Sequence, residues 1–84
     1  MIDEKLRELS AMLATHVPTA WTRNLLEYVQ VGEAEVGLEE LCDVLFDEEE
    51  PLTAAEVELI REVGGVLGVT RASFLRIGEL RLEE

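Results

Sequence analysis

Apolar residues return along this chain every third or fourth position, in five blocks separated by proline, glycine or acid-rich breaks. That period belongs to amphipathic helices, since strand faces alternate every second residue. Ile2, Leu6, Leu9 and Leu13 predict a first helix over about residues 3–15, with Asp3 and Glu4 suited to the positive end of its dipole. His16-Val17-Pro18 ends it, because proline pushes the preceding residue out of the α region. Trp21, Leu25, Tyr28 and Val29 predict a second helix over about residues 19–31, stopped by Gly32. The third, over about residues 33–47, has the clearest stripe: Ala34, Leu38, Leu41, Cys42, Leu45 and Phe46.

A fourth helix starts at an explicit signal. Thr53-Ala54-Ala55-Glu56 is a capping box, with Leu52 and Val57 at the hydrophobic-staple positions. It runs to about Leu67 through Val57, Leu59, Ile60 and Val63, and Gly68 stops it. Gly64-Gly65 weakens its middle by about 1 kcal/mol per glycine relative to alanine and reads as a point of close helix approach. A last helix is expected over about residues 70–82, carrying Phe74, Ile77 and Leu80, with Gly78 inside it. The fold class expected is all-α: a small single-domain bundle of four to five short helices spanning residues 1–84.

Composition agrees. The 84 residues suit one small core, and an apolar share of 48% is too high for a disordered chain. The single Cys42 excludes an internal disulfide and suggests a reducing compartment. Residues 1–9 carry charges of both signs, unlike a secretory leader, and no apolar run approaches the roughly 18 residues of a membrane span. A soluble, cytoplasmic protein is expected.

Charge changes the picture more. Between Asn24 and Ile60 there is no Lys, Arg or His, yet that stretch holds twelve acids, enough to supply the whole formal net charge of −12. Seven acids and seven Lys or Arg residues balance in the flanks. Segregation of one sign attracts a partner of the other sign and argues against nucleic acid or anionic lipid, which need basic footprints. Glu35, Glu39, Asp43 and Asp47 recur every fourth residue on the third helix, with Glu40 beside them and Glu48, Glu49 and Glu50 continuing into the loop. Like charges at that spacing each cost about 0.2–0.5 kcal/mol, and no base intervenes in the sequence. Locally unfavourable choices tend to mark functional surfaces, so these eight acids are the expected partner-binding residues.

Little else suggests chemistry. His16 reads as a helix-terminal or C-capping residue and Cys42 as core. One Cys and one His do not make a zinc site. The acidic loop lacks the alternating ligands and central glycine of a calcium loop. With no phosphate loop and no nucleophile–base set, neither catalysis, nor a cofactor, nor a bound metal is expected.

The central segment Gly37-Leu38-Glu39-Glu40-Leu41-Cys42-Asp43, followed by Pro51-Leu52-Thr53-Ala54-Ala55-Glu56, resembles the MafI family of bacterial immunity proteins. The preceding Val31-Gly32-Glu33 and the later Val63-Gly64-Gly65-Val66-Leu67-Gly68 are similar too, so the likeness covers about residues 25–68. Glu39-Glu40 depart from it, standing where the family has an Ala-Leu-like pair. The resemblance implies a small helical protein that binds and neutralises a cognate toxin made by the same cell. Many such toxins are cationic nucleases, which an acidic inhibitor can occupy where phosphates would lie. Trp21 and Tyr28 are candidate anchors if exposed, although their phase on the second helix favours the core. The alternative is an acidic helical adaptor or regulatory subunit of a larger complex, docking through its apolar helices, for example the last one with Phe74 and Ile77.

Overall fold

The computed structural model of this chain describes residues 1–83; Glu84, one of the flanking acids, lies outside the described residues. Each of the first four apolar blocks forms a helix: α1 (Ile2–Leu13), α2 (Thr19–Gln30), α3 (Ala34–Asp47) and α4 (Ala54–Leu67). A single turn, α5 (Ala72–Leu75), and a 3₁₀ helix (Ile77–Leu80) follow. The all-α class expected from the sequence is the class observed. Among the described residues the one β-type pairing is an isolated parallel bridge between Leu52 and Arg81.

One core runs through every element. Leu6, Leu9 and Leu13 of α1 meet Leu25 and Val29 of α2, Leu38, Leu41, Cys42 and Leu45 of α3, and Val57, Ile60 and Val63 of α4. Phe74 and Ile77 close it from the C-terminal end. α1 lies against α2 and α4, while α3 lies against α2, α4 and α5. Other stripe residues expected inside, among them Trp21, Tyr28, Ala34, Phe46, Leu67 and Leu80, stop half-buried at its margin.

The start of α4 forms as its sequence requires. Glu56 N–H donates to Thr53 Oγ1 at 3.1 Å and Thr53 N–H donates to Glu56 Oε1 at 2.8 Å, with staple residues Leu52 and Val57 both buried. α1 is shorter than expected, ending at Leu13, and residues 14–17 turn with His16 and Val17 N–H groups donating to the Leu13 carbonyl.

The single last helix expected over residues 70–82 does not form. Arg76 leaves helical geometry at φ −100° and ψ 10°, and the Arg61 guanidinium lies against Gly78. Beyond the 3₁₀ turn, two backbone bonds pull the chain onto the α3–α4 loop. Leu52 N–H donates to Leu80 O at 2.9 Å, and Leu82 N–H donates to Leu52 O at 2.8 Å. A continuous helix would commit those C-terminal groups to its own ladder, so the pairing with Leu52 wins over local propensity. Phe74 and Ile77, the last-helix example of an adaptor surface, are buried in the core.

The adjacent glycines of α4 play opposite roles. A Cβ on Gly64 would overlap the Phe74 ring, whereas one on Gly65 would meet nothing within 4 Å. Gly64 is therefore the point of close approach, and Gly65 only adds backbone entropy to the unfolded chain. Gly64→Ala is expected to destabilise the protein by about 1–3 kcal/mol through overpacking. Gly65→Ala is expected to stabilise it by about 0.5–1 kcal/mol. Urea-unfolding midpoints of the two variants, moving in opposite directions from the parent, check both.

Candidate functional site

The fold divides the eight acids expected at the partner surface into three sets. Glu39 and Asp43 are already occupied. Arg71, at the start of α5, places Nη1 2.6 Å from Asp43 Oδ2 and Nη2 3.5 Å from Glu39 Oε1, and Ser73 Oγ donates to Asp43 Oδ1 at 2.6 Å. The acid ridge thus has its missing base, supplied from 28 residues away, and the like-charge cost at its centre is relieved. Burial raises the Asp43 pKa, but the hydrogen bonds from Ser73 and Arg71 and the Arg71 charge outweigh it, so the carboxyl sits below its usual range.

Glu50 is the second case. It joins a clasp that no local pattern in the sequence reveals. His16 places Nδ1 3.0 Å from Glu50 Oε2 and Nε2 2.7 Å from Glu56 Oε2. Glu56 is 2% exposed and its other oxygen holds the capping box, so the only imidazole of the chain ties the α1–α2 turn to the α3–α4 loop and the start of α4. A neutral imidazole has one donor and would set a lone pair against one of the carboxylates, whereas the imidazolium donates to both. The hydrogen bonds to Glu50 and then Glu56 accordingly raise the His16 pKa above 6.5, against the opposing effect of burial. His16 does sit at the end of α1, its N–H on the Leu13 carbonyl, and its side chain adds this bridge to partners 34 and 40 residues away.

Glu35, Glu40, Asp47, Glu48 and Glu49 form the third set. None of them has a basic partner within 4 Å among the described residues, and all five are exposed. Glu49 stands out by its backbone. It occupies the left-handed region at φ 52°, one residue past the cap of α3, where its N–H donates to Phe46 O and the Glu50 N–H donates to Leu45 O. That pair of bonds is the Schellman motif, whose left-handed position normally takes glycine. The other two left-handed residues among the described ones are Gly32 and Gly68.

Glu40 is set apart by a different environment. Gly37 lets α2 and α3 approach so closely that a Cβ there would lie 2.7 Å from Tyr28 Cβ. One helical turn further on, Glu40 accepts from Tyr28 Oη at 2.8 Å and from Asn24 Nδ2 at 3.2 Å. The bond to Glu40, then its charge, raises the Tyr28 pKa, so the phenol remains a donor. Beside them Trp21, Asn24 and Glu40 line a cleft of about 350 Å³ with Ala20, Leu41 and Val44.

Cys42 is fully buried and its thiol is pushed up to about 12, first by burial and then by Asp43 and Glu39, which leaves it inert. Among the described residues no group of three or more His, Cys, Asp or Glu side chains could hold a metal ion, and no helix is long and apolar enough to cross a membrane. Compared with protein-family models, curated proteins and solved structures, the chain has no match.

The occupied acids can be tested through stability. Asp43→Asn should lower it by about 0.5–1.5 kcal/mol, since it weakens a partly exposed ion pair and one hydrogen bond. Its effect should vanish in an Arg71→Ala, Ser73→Ala background, as a double-mutant cycle in urea would show. The clasp adds a pH dependence. A group whose folded pKa is raised contributes fully below its unfolded pKa, about 6.5, and loses that contribution as pH rises through the folded value. The stability advantage of the parent over His16→Gln should therefore be largest near pH 5.5–6.5 and shrink toward pH 8.5. A constant difference between the two melting temperatures across that range would contradict the clasp.

Proposed function

We propose that this chain is an immunity protein: a non-catalytic helical inhibitor that binds a cationic toxin made by the same cell and neutralises it. The observation that carries this reading is the concentration of uncompensated negative charge on α3 and the loop after it. Five of the eight acids singled out from the sequence have no base within 4 Å among the described residues. The net charge of −12 leaves the field strongly negative after the internal pairs are counted. The central segment's resemblance to the MafI family supplies the biological context.

Glu49 supports the same reading on independent grounds. Holding a non-glycine residue in the left-handed region costs about 1 kcal/mol or more, and glycine would relieve it. Glycine fills the other two such positions among the described residues, yet a glutamate stands at this one, within the acidic loop. A persistent local cost on an exposed charged residue is what a surface retained for binding looks like.

Opposite fields accelerate encounter more than they strengthen the final complex. An inhibitor that must intercept a poison gains most from association rate, which steering raises by about 10–10³ and salt suppresses. The rival adaptor reading requires an apolar contact surface. With Phe74 and Ile77 buried, that segment offers only Leu75 and Leu82 as exposed large apolar side chains.

The reading predicts that the gene beside this one encodes a long secreted protein ending in a small basic domain. Co-expression with that domain should relieve its toxicity, and association of the purified pair should slow steeply with added salt. Neutralising Glu35, Glu48 and Glu49 to Gln together should reduce the association rate about tenfold with little change in dissociation. Association that is indifferent to salt would favour the adaptor. Glu49→Gly provides a separate readout: stability should rise by about 1 kcal/mol while association slows.

A further inference from the structure

The cleft between α2 and α3 combines features that the acid ridge lacks. Its floor is Leu41, buried to 2% exposure, and its walls include Val44 and the half-buried Trp21. Glu40 stands at its margin, held in place by Tyr28 and Asn24. Both of those donors are neutral. The carboxylate is therefore oriented without being neutralised, and no ion pair among the described residues includes it.

We propose that this cleft, formed by Trp21, Glu40, Leu41 and Val44, receives an arginine side chain of the cationic protein partner. The proposal rests on the immunity reading for the identity of that partner, and on the cleft alone for the chemistry. A carboxylate offers about four lone-pair sites, and Tyr28 and Asn24 use two, leaving room for a guanidinium to donate two parallel bonds. An indole is the best of the aromatic rings for binding a cation, and arginine is the cation that most often stacks on it. At about 350 Å³ the cleft is at the small end of ligand sites, suited to one side chain rather than a cofactor.

Arginine is favoured over lysine by geometry. A planar guanidinium can lie along the indole and meet the carboxylate edge-on at once, while an ammonium is a compact point charge that does one or the other. The same helix already binds a guanidinium on its other side, where Arg71 lies between Glu39 and Asp43. Occupied there from within the chain, α3 has Glu40 as its remaining acid at the α2 interface.

Trp21 is the chain's single tryptophan, so its fluorescence reports on this cleft alone. A capped hexa-arginine peptide, titrated at low salt, is expected to change Trp21 emission saturably and to bind more tightly than hexa-lysine. Glu40→Gln should weaken hexa-arginine binding about tenfold, equal to about 1.4 kcal/mol. Tyr28→Phe, which frees the carboxylate but keeps its charge, should weaken it several-fold. The control is Glu35→Gln with Glu48→Gln, which removes twice the charge outside the cleft and should weaken binding less than Glu40→Gln. Three results would overturn the cleft: no binding, calorimetric binding that leaves Trp21 emission unmoved, or a Glu40→Gln loss no larger than the control's. A toxin domain that binds the Trp21→Phe, Glu40→Gln double variant as tightly as the parent also removes the cleft but leaves the immunity reading standing. Hexa-arginine binding at Trp21 without any cationic toxin partner supports the cleft and removes the immunity reading instead.

Discussion

A buried carboxylate sets the geometry on which the rest of this small protein depends. Glu56 is 2% exposed, and a charge in that position is tolerated only when its oxygens are supplied with donors. One donor is local, the Thr53 N–H of the capping box; the other is His16 Nε2, from the turn between α1 and α2. The first fixes where α4 begins. Through the second, the turn 40 residues earlier is held against that same point. With its other ring nitrogen His16 reaches Glu50, so the acidic loop is anchored on both sides of Pro51. Leu52, between those anchors, is fully buried and pairs with the C-terminal segment. The α1–α2 turn, the acidic loop and the start of α4 therefore converge on one carboxylate and one imidazole, and the C-terminal segment joins them through Leu52.

Folding also redistributes the charge. In the sequence the acids of residues 25–59 stand without a base, which reads as a single continuous field. In the structure α5 packs on α3, and the arginines flanking it come with it. Arg71 takes Glu39 and Asp43, and Arg76 stacks over Phe46 at 4.9 Å while pairing with Glu79. Internal pairing thus divides the acids into a group that joins helices together and a group left to the solvent. Like-charge spacing alone is ambiguous between the two, because a base from elsewhere can relieve the repulsion. Glu49 is less ambiguous, since no counter-charge can relieve a left-handed backbone.

Local rules were legible in the sequence wherever they depend on near neighbours. The four long helices, the capping box, the staple and most core positions follow from period and caps, and the structure contains them all. What could not be read is what depends on distant pairing. His16 looks like a helix-end residue because its partners lie 34 and 40 positions away, and Arg71 looks like a flank charge because its acids lie about thirty positions earlier. The last helix fails for the same reason, its backbone drawn to Leu52 rather than onward along its own axis. The half-buried state of Trp21 was also out of reach. Helical phase places it toward α3, but the cleft beside it is formed with Glu40, Leu41 and Val44 of α3, residues 19 to 23 positions away.

Glu39 and Glu40 show how one residue step on a helix separates an acid paired with a base from one held by neutral donors. Adjacent side chains on α3 diverge by about 100°, so the pair cannot serve the same neighbour. Glu39 faces α5 and meets Arg71; Glu40 faces α2 and meets Tyr28 and Asn24. A cationic neighbour cancels a carboxylate's field, while neutral donors orient the carboxylate and leave its charge intact. Orientation without cancellation is what recognition of an incoming cation requires, because the group is then preorganised yet still unpaired. The fold gives the two neighbouring glutamates different partners. Glu39 meets the arginine that α5 brings to α3, and Glu40 stays oriented and, among the described residues, without an ion pair.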